Sequence, residues 1–275
     1  MVFLCSSSSE SGVWMVGVPY DGTASARPGA RFGPSAIRQA SRDLESYSPY
    51  LQKDLEDMKF YDSGDMPVSF SSPEKTQEEI YRFAADLFYQ NRLPVVLGGE
   101  HSISIPVIRA AFEKWPHLRV VHIDAHCDLR EQYGGQRNSH ACVARRVLEF
   151  LPPEQYAGMG MRSGTKEEFA YAQKLPYFHP FDLKNASRLA GSIPTGTPVY
   201  ITLDLDVLDP GFFPGTGTPE PGGVSVKELH SALILFRDHR IVGFDMVELA
   251  PPYDPSSCSC AAAAFFTREL VLMLQ

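Results

Sequence analysis

No apolar run in this chain approaches the roughly 20 residues of a membrane-spanning helix. Positive charge is also short: 25 Lys and Arg stand against 33 Asp and Glu, for a net charge of -8. Such a chain is a poor partner for nucleic acid, whose phosphates need clustered Lys and Arg. It suits a cationic ligand, provided the acids gather in one cleft. No Lys or Arg precedes Arg27, so MVFLCSSSSESG lacks the basic head of a secretory signal and the Arg-rich face of a transit peptide. Cysteine is scarce and odd in number: Cys5, Cys127, Cys142, Cys258 and Cys260. Cys258 and Cys260 have no second cysteine pair or nearby His to complete a zinc site. The reading is of free thiols in a reducing cytosol, and so of a cytoplasmic protein. Repeats, linkers and low-complexity segments are missing as well, apart from the serines at 6–9.

What remains is a chain of 275 residues, 44% hydrophobic and 21% charged, which is enough to bury a large core without disulfides. Strand-like and helix-like segments alternate. VWMVGV (13–18), MKFYD, PVVLGG, LRVVHID, QYAGMGMR, PVYITLDLD and RIVGFDMVEL read as strands. GPSAIRQASRDLESYS, SPEKTQEEIYRFAADLFYQNR, SISIPVIRAAFEKW, SHACVARRVLEF, TKEEFAYAQKL, SVKELHSALILFRD and SCAAAAFFTRELVLML read as helices. Ser72 is placed to cap the second of these, with Pro73 in its first turn. The alternation predicts a three-layer α/β/α unit over residues 1–275 with a mostly parallel central sheet. Sheets of that kind bind ligands at the carboxyl ends of their strands.

Those ends are where the polar motifs fall. GGEHS (98–102) follows PVVL, DAHCD (124–128) follows VVHI, TLDLDVLDP (202–210) closes PVYI, and Glu248 ends VGFDMVE. Side chains two apart on an extended chain point the same way, so Asp124, His126 and Asp128 converge if their strand stays extended, as do Asp204 and Asp206. Carboxylates so close cannot all stay ionised without positive charge between them. Two divalent cations would balance Asp124, Asp128, Asp204 and Asp206, with His101 and His126 as neutral nitrogen ligands. Carboxylate and imidazole without thiolate favours Mn²⁺ over zinc–thiolate or iron–sulfur chemistry. Such ions lower the pKa of water, from about 15.7 to about 7 on a single catalytic zinc, and so supply a nucleophile for an electrophilic carbon.

GGEHS, DAHCD and TLDLDVLDPGFFPGTGTPEPGG together resemble the ureohydrolase family of arginases, agmatinases and related guanidino hydrolases. The last segment follows the family signature through Asp204, Asp206, Pro210, Pro214–Gly215 and Gly223. GVPYDGTASARPGARFGPSAIR (17–38) is similar to the agmatinase branch, and GMRS (160–163) and VELAPPYD (247–254) match in order. The resemblance implies an arginase-like fold, two Mn²⁺ per chain and a homotrimer or homohexamer. It implies that His101, Asp124, Asp128 and Asp204 hold one ion, that Asp124, His126, Asp204 and Asp206 hold the other, and that Asp128 also orients the attacking oxygen. Glu248 would pair with the substrate guanidinium and His140 would relay a proton to the departing amine. Ala141 departs from the glycine that many members carry after that histidine. The implied reaction is hydrolysis of a small cationic guanidino compound, agmatine first, to urea and an amine.

Three rivals stand beside this. The same site could act on arginine, guanidinobutyrate, guanidinopropionate or formiminoglutamate. A single-zinc deacetylase shares the broad fold. A metal-binding regulatory protein without catalysis would keep the ligands. His122 shares the parity of the ligands but reads as a hydrogen-bonded buried histidine, and His117, His179, His230 and His239 read as surface or helix-face residues. Cys127 reads as core. Arg27 and Arg31 order their loop or an oligomer contact. GTGTPEPGG lacks the lysine of a phosphate-binding loop and reads as a substrate-flanking loop.

Overall fold

The alternating segments give ten strands and eight helices among the described residues, which in this computed structural model are 1–70 and 72–274. Ser71 and Gln275, inside the unit expected over 1–275, lie outside them. The strands are β1 (Val13–Val18), β2 (Tyr47–Ser48), β3 (Lys53–Asp54), β4 (Phe60–Asp65), β5 (Leu93–Gly98), β6 (Arg119–Ile123), β7 (Tyr156–Met159), β8 (Tyr177–His179), β9 (Pro198–Asp204) and β10 (Arg240–Val247). The helices are α1 (Gly33–Ala40), α2 (Pro73–Tyr89), α3 (Ser104–Lys114), α4 (Val143–Val147), α5 (Lys166–Ala172), α6 (Ala186–Ser192), α7 (Val226–Ile234) and α8 (Cys258–Met273). No helix is long and apolar enough to cross a membrane, among the described residues. All five cysteines are free.

Eight strands form one sheet in the order β4-β1-β5-β10-β9-β6-β7-β8, and every pairing in it is parallel. Parity along the strands builds two cores. Val13 and Met15 of β1, Val121 and Ile123 of β6, and Val199, Ile201 and Leu203 of β9 face one core, with α1, α6, α7 and α8 over it. Val16, Val18, Val120 and Tyr200 face the other, with α2, α3, α4 and α5. In β10 the parity slips. Its register shifts between Ile241 and Gly243, so odd-numbered Ile241 and even-numbered Phe244 and Met246 share one core. Gly243 allows this because a Cβ there would come within 2.9 Å of Pro94 O. The slip turns Asp245 to the other face, where the outer support of the site is built.

Local signals set most helix starts. Ser72 accepts from Lys75 N at 3.2 Å with Pro73 next, and Thr165 and Ser225 form capping boxes with Glu168 and Glu228. Several helices are shorter than expected: α5 stops at Ala172 and α7 at Ile234, and in two others a side-chain contact gives the reason. Helix α1 ends at Ala40, where Ser41 Oγ donates to Arg38 O at 2.7 Å and accepts from Leu4 N at 3.0 Å. That side chain offers the backbone a turn instead of another helical residue. The segment expected as a helix from Ser139 opens with a 3-10 turn, His140–Cys142, because His140 N donates to Thr23 Oγ1 at 3.1 Å instead of entering a helix. Strands β2, β3 and β8 and helix α6 are additions that the pattern of the sequence did not give.

Candidate metal centre and active site

The carboxyl ends of β5, β6, β9 and β10 lie side by side at the middle of the sheet. The cluster forms by turns, which corrects the expectation of extended strand ends. Strand β6 stops at Ile123, Asp124 Oδ1 accepts from His126 N at 2.6 Å, and Asp128 takes a left-handed φ of 50°. Strand β9 stops at Asp204, whose Oδ1 accepts from Asp206 N at 2.8 Å at the head of a 3-10 turn. Both aspartates therefore use one oxygen to bend their own backbone and present the other to the cluster. At β5, Gly99 is needed because a Cβ would lie 1.8 Å from Tyr20 O, and the close approach lets Glu100 N donate to Tyr20 O at 2.7 Å. Glu100 caps the next turn through Ser102 N (2.7 Å), which projects His101 inward.

The six residues singled out as ligands meet. His101 Nδ1 lies 3.1 Å from Asp124 Oδ2, 3.2 Å from Asp204 Oδ2 and 3.4 Å from Asp128 Oδ2. His126 Nδ1 lies 3.0 Å from Asp206 Oδ2 and 3.6 Å from Asp124 Oδ1. All are buried except His126, which is partly exposed. Among the described residues, no Lys or Arg pairs with any of these four aspartates. Left to the protein's own charges, the cluster relieves its repulsion by taking up protons. Burial, then neighbouring carboxylates, pushes Asp128 and Asp204 well above the usual range. Burial opposes charge on His101 and His126, but the surrounding aspartates outweigh it and raise both.

One atom tests whether these residues fit a cation. His101 Nε2 is 2.9 Å from Thr202 Oγ1, and Thr202 Oγ1 donates its only proton to Asp245 Oδ1 at 2.7 Å. The imidazole therefore carries its proton on Nε2. Nδ1 is left buried among three carboxylate oxygens at 3.1–3.4 Å, and with the ring's affinity for protons raised it holds a second proton there. A divalent cation in place of that proton would meet a nitrogen lone pair and the same three oxygens at once. A second histidine–carboxylate contact has the same sense: His122 bonds Tyr156 Oη at 2.7 Å and Asp124 Oδ2 at 2.8 Å. Although His122 lies within 4.8 Å of the ligand atoms of His101, Asp124 and Asp128, both its nitrogens are engaged. It is the hydrogen-bonded buried histidine that the sequence suggests, and the contact orients Asp124.

A cavity of about 230 Å³ opens over the cluster, and His140 and Glu248 both line it. Glu248 ends β10 with a left-handed φ of 66°, held by its N–H to Gly99 O at 2.9 Å. Its Oε1 accepts from His101 N at 3.0 Å. Burial, then Glu100 and Asp206 nearby, pushes its carboxyl up to about 8. A positive partner in the cavity would draw its proton off and leave a carboxylate paired with that partner. His140 Nδ1 lies 3.3 Å from Thr23 Oγ1, and its Nε2 lies 3.3 Å from Ser25 Oγ. Burial, then the charge of His126, pushes it down to about 4, so it is neutral at neutral pH. Cys127 is buried in the second core, as expected, and burial pushes its thiol up.

Several residues that frame the site went unassigned in the sequence. Thr202 shares the parity of Asp204 in TLDLD, which is a signal for it, and Asp245 sits in VGFDMVE. Arg162, in GMRS, donates to Asp206 O (2.9 Å), Val207 O (3.0 Å), Glu220 O (2.7 Å) and Pro221 O (3.2 Å). Arg27 donates to Thr216 O (3.0 Å) and Gly217 O (3.3 Å), while Arg31 Nε bonds Asp21 Oδ1 at 2.5 Å. Within the chain, both therefore order loops.

A parallel sheet whose central strand ends gather a carboxylate–imidazole cage under a cavity defines a metal-assisted hydrolase. The chain belongs to the Arginase family, whose model matches residues 11–273. It is 42% identical to the agmatinase of Bacillus cereus, over 97% of this chain and 93% of that one. It is 43% identical to the agmatinase of Halalkalibacterium halodurans, over 98% and 96%. The crystal structure of the agmatine ureohydrolase of Thermoplasma volcanium superposes with a TM-score of 0.87 at 30% identity, covering 99% of this chain and 92% of that one.

Proposed function

We propose that this protein hydrolyses agmatine to putrescine and urea. The observation that carries the reading is the cage of four buried aspartates that no Lys or Arg of the described residues pairs with, closed around Nδ1 of His101. His101, Asp124, Asp128 and Asp204 would hold one ion, and Asp124, His126, Asp204 and Asp206 the other. Divalent cations there supply Lewis acidity and a water acidic enough to attack near neutral pH.

The chain's own groups do the rest. Glu248 pairs with the guanidinium in a charge-assisted contact and sets its central carbon over the cage. Asp128 takes a hydrogen bond from the attacking water and fixes its approach. His140, neutral and at the cavity wall, relays a proton to the departing nitrogen, so that the carbon–nitrogen bond breaks to release a primary amine. The same reading takes manganese as the metal, two ions per chain in a single unit spanning 1–275. It also takes a homotrimer or homohexamer working in the cytoplasm. The test is urea release by the Mn²⁺-loaded protein on a panel of agmatine, arginine, guanidinobutyrate and guanidinopropionate, with formamide release measured for formiminoglutamate. Agmatine should give the highest kcat/KM. Turnover of another member above agmatine reassigns the substrate, and an inert protein with two bound metals makes this a binding protein.

A further inference from the structure

We propose that Glu220 determines specificity by binding an ammonium group at the far end of the substrate. This rests on the ureohydrolase reading above and extends it from the reacting guanidinium to the tail. Glu220 and Glu248 both line the cavity, but they occupy different depths. Glu248 is 7% exposed, at the floor beside His101. The Glu220 side chain is 37% exposed, at the mouth.

The loop carrying Glu220 is fixed from both sides. Arg162 bonds Glu220 O and Pro221 O, and Arg27 bonds Thr216 O and Gly217 O. Ser163 Oγ then donates to Glu220 Oε1 at 2.8 Å, so the carboxylate is held on the cavity wall beside Ser163. It also lies 3.8 Å from His126 Nε2, beyond a hydrogen bond but within ion-pair range. Among the described residues Ser163 makes its one hydrogen bond on the wall, and the carboxylate stays open to a cation in the cavity. Gly217 sits against the other acid: a Cβ on it would be 3.6 Å from Glu248 Oε2. Gly217 and Glu220 belong to one loop, so that loop borders Glu248 at one point and carries the second acid three residues on, both on the same cavity.

Among the described lining residues a carboxylate tail would find hydroxyls, from Ser25, Tyr133 and Thr218, but no Lys or Arg without an acidic partner. Arg130 is the guanidinium among the described lining residues. Its Nε lies 3.4 Å from Glu168 Oε2 and it stacks over the Tyr133 ring at 4.6 Å, so its charge is already committed. A compound with a guanidinium at one end and an ammonium at the other meets an acid at each end. A compound ending in carboxylate meets Glu220 as a like charge.

The experiment is steady-state urea release by the Mn²⁺-loaded wild type, Glu220→Gln and Glu220→Asp, on agmatine and on N-butylguanidine, which lacks the terminal amine. Bound metal is counted in each. The wild-type preference for agmatine over N-butylguanidine should fall about 10- to 30-fold in Glu220→Gln, chiefly through KM, with two metals retained. Glu220→Asp, which keeps the charge, should restore part of it. An unchanged preference overturns the assignment. So does a parallel loss on both substrates with loss of metal, which would make Glu220 a support for His126. A wild type inert on both substrates overturns the ureohydrolase reading as well, and is told apart because no variant is needed to see it.

Discussion

Two clusters of buried carboxylate lie on the same sheet and are completed in opposite ways. At β4, Asp62 receives Arg38 Nε at 2.8 Å and Nη2 at 2.9 Å, and Phe3 N at 2.7 Å. Arg38 also pairs with Asp65. Each charge there has a partner of opposite sign from the chain itself. At the ends of β6 and β9, four aspartates have only imidazoles between them. One imidazole nitrogen lies among three of their oxygens, at 3.1–3.4 Å. The Arg38–Asp62 pair and the cage are both buried and hydrogen-bonded, so burial does not separate a structural acid from a functional one. What separates them is whether the protein supplies the countercharge.

The comparison can be broken in a definite order. The largest effect belongs to the cage: His126→Ala or Asp128→Ala should abolish urea release while circular dichroism stays that of the wild type. Arg38→Met should do the reverse. Removing one partner of a buried pair costs about 3–5 kcal/mol, so Tm should fall by roughly 6–20 °C with bound metal per folded chain unchanged. Metal loss in that variant would show the clusters to be coupled. Stripping metal from protein held at 100 times its Kd should remove about 2.7 kcal/mol, read as a Tm drop of roughly 5–10 °C. The decrement should be the same in wild type and in Arg38→Met if the clusters are independent. The smallest effect is that of Thr202→Val, which frees the Nε2 proton of His101 and should weaken metal affinity about 10-fold, measured by competition with a chelator.

The sequence reached further into the site than its geometry did. DAHCD and TLDLD name the acids, because few other reasons put so many at the ends of apolar strands. The means of convergence was not legible. Period two predicted extended strand ends, whereas Asp124 and Asp204 each bend the chain with their own side chains, and Asp128 and Glu248 adopt left-handed backbone. Such turns are set by local hydrogen bonds and by packing against Gly99, which periodicity does not encode. For the fold, long strands and capped helices such as β1 and α2 stand out, since apolar parity and the Ser72–Pro73 start signal are local. Strand β8, with three residues between Leu175 and Pro180, and the two-residue strands β2 and β3 are too short to show a period. Helix α1 ended early because one serine hydroxyl competed with the next helical turn. The support for the cage from Thr202, Asp245 and Arg162 lies in contacts between strands far apart in sequence.

The central claim is that the chain leaves this cage short of positive charge so that two divalent ions complete it. Anomalous diffraction from crystals grown with Mn²⁺ tests it directly. The account predicts two manganese peaks per chain, one beside His101 and one beside His126, with Asp124 and Asp204 between them. A single peak, or none with the aspartates splayed apart, would contradict it.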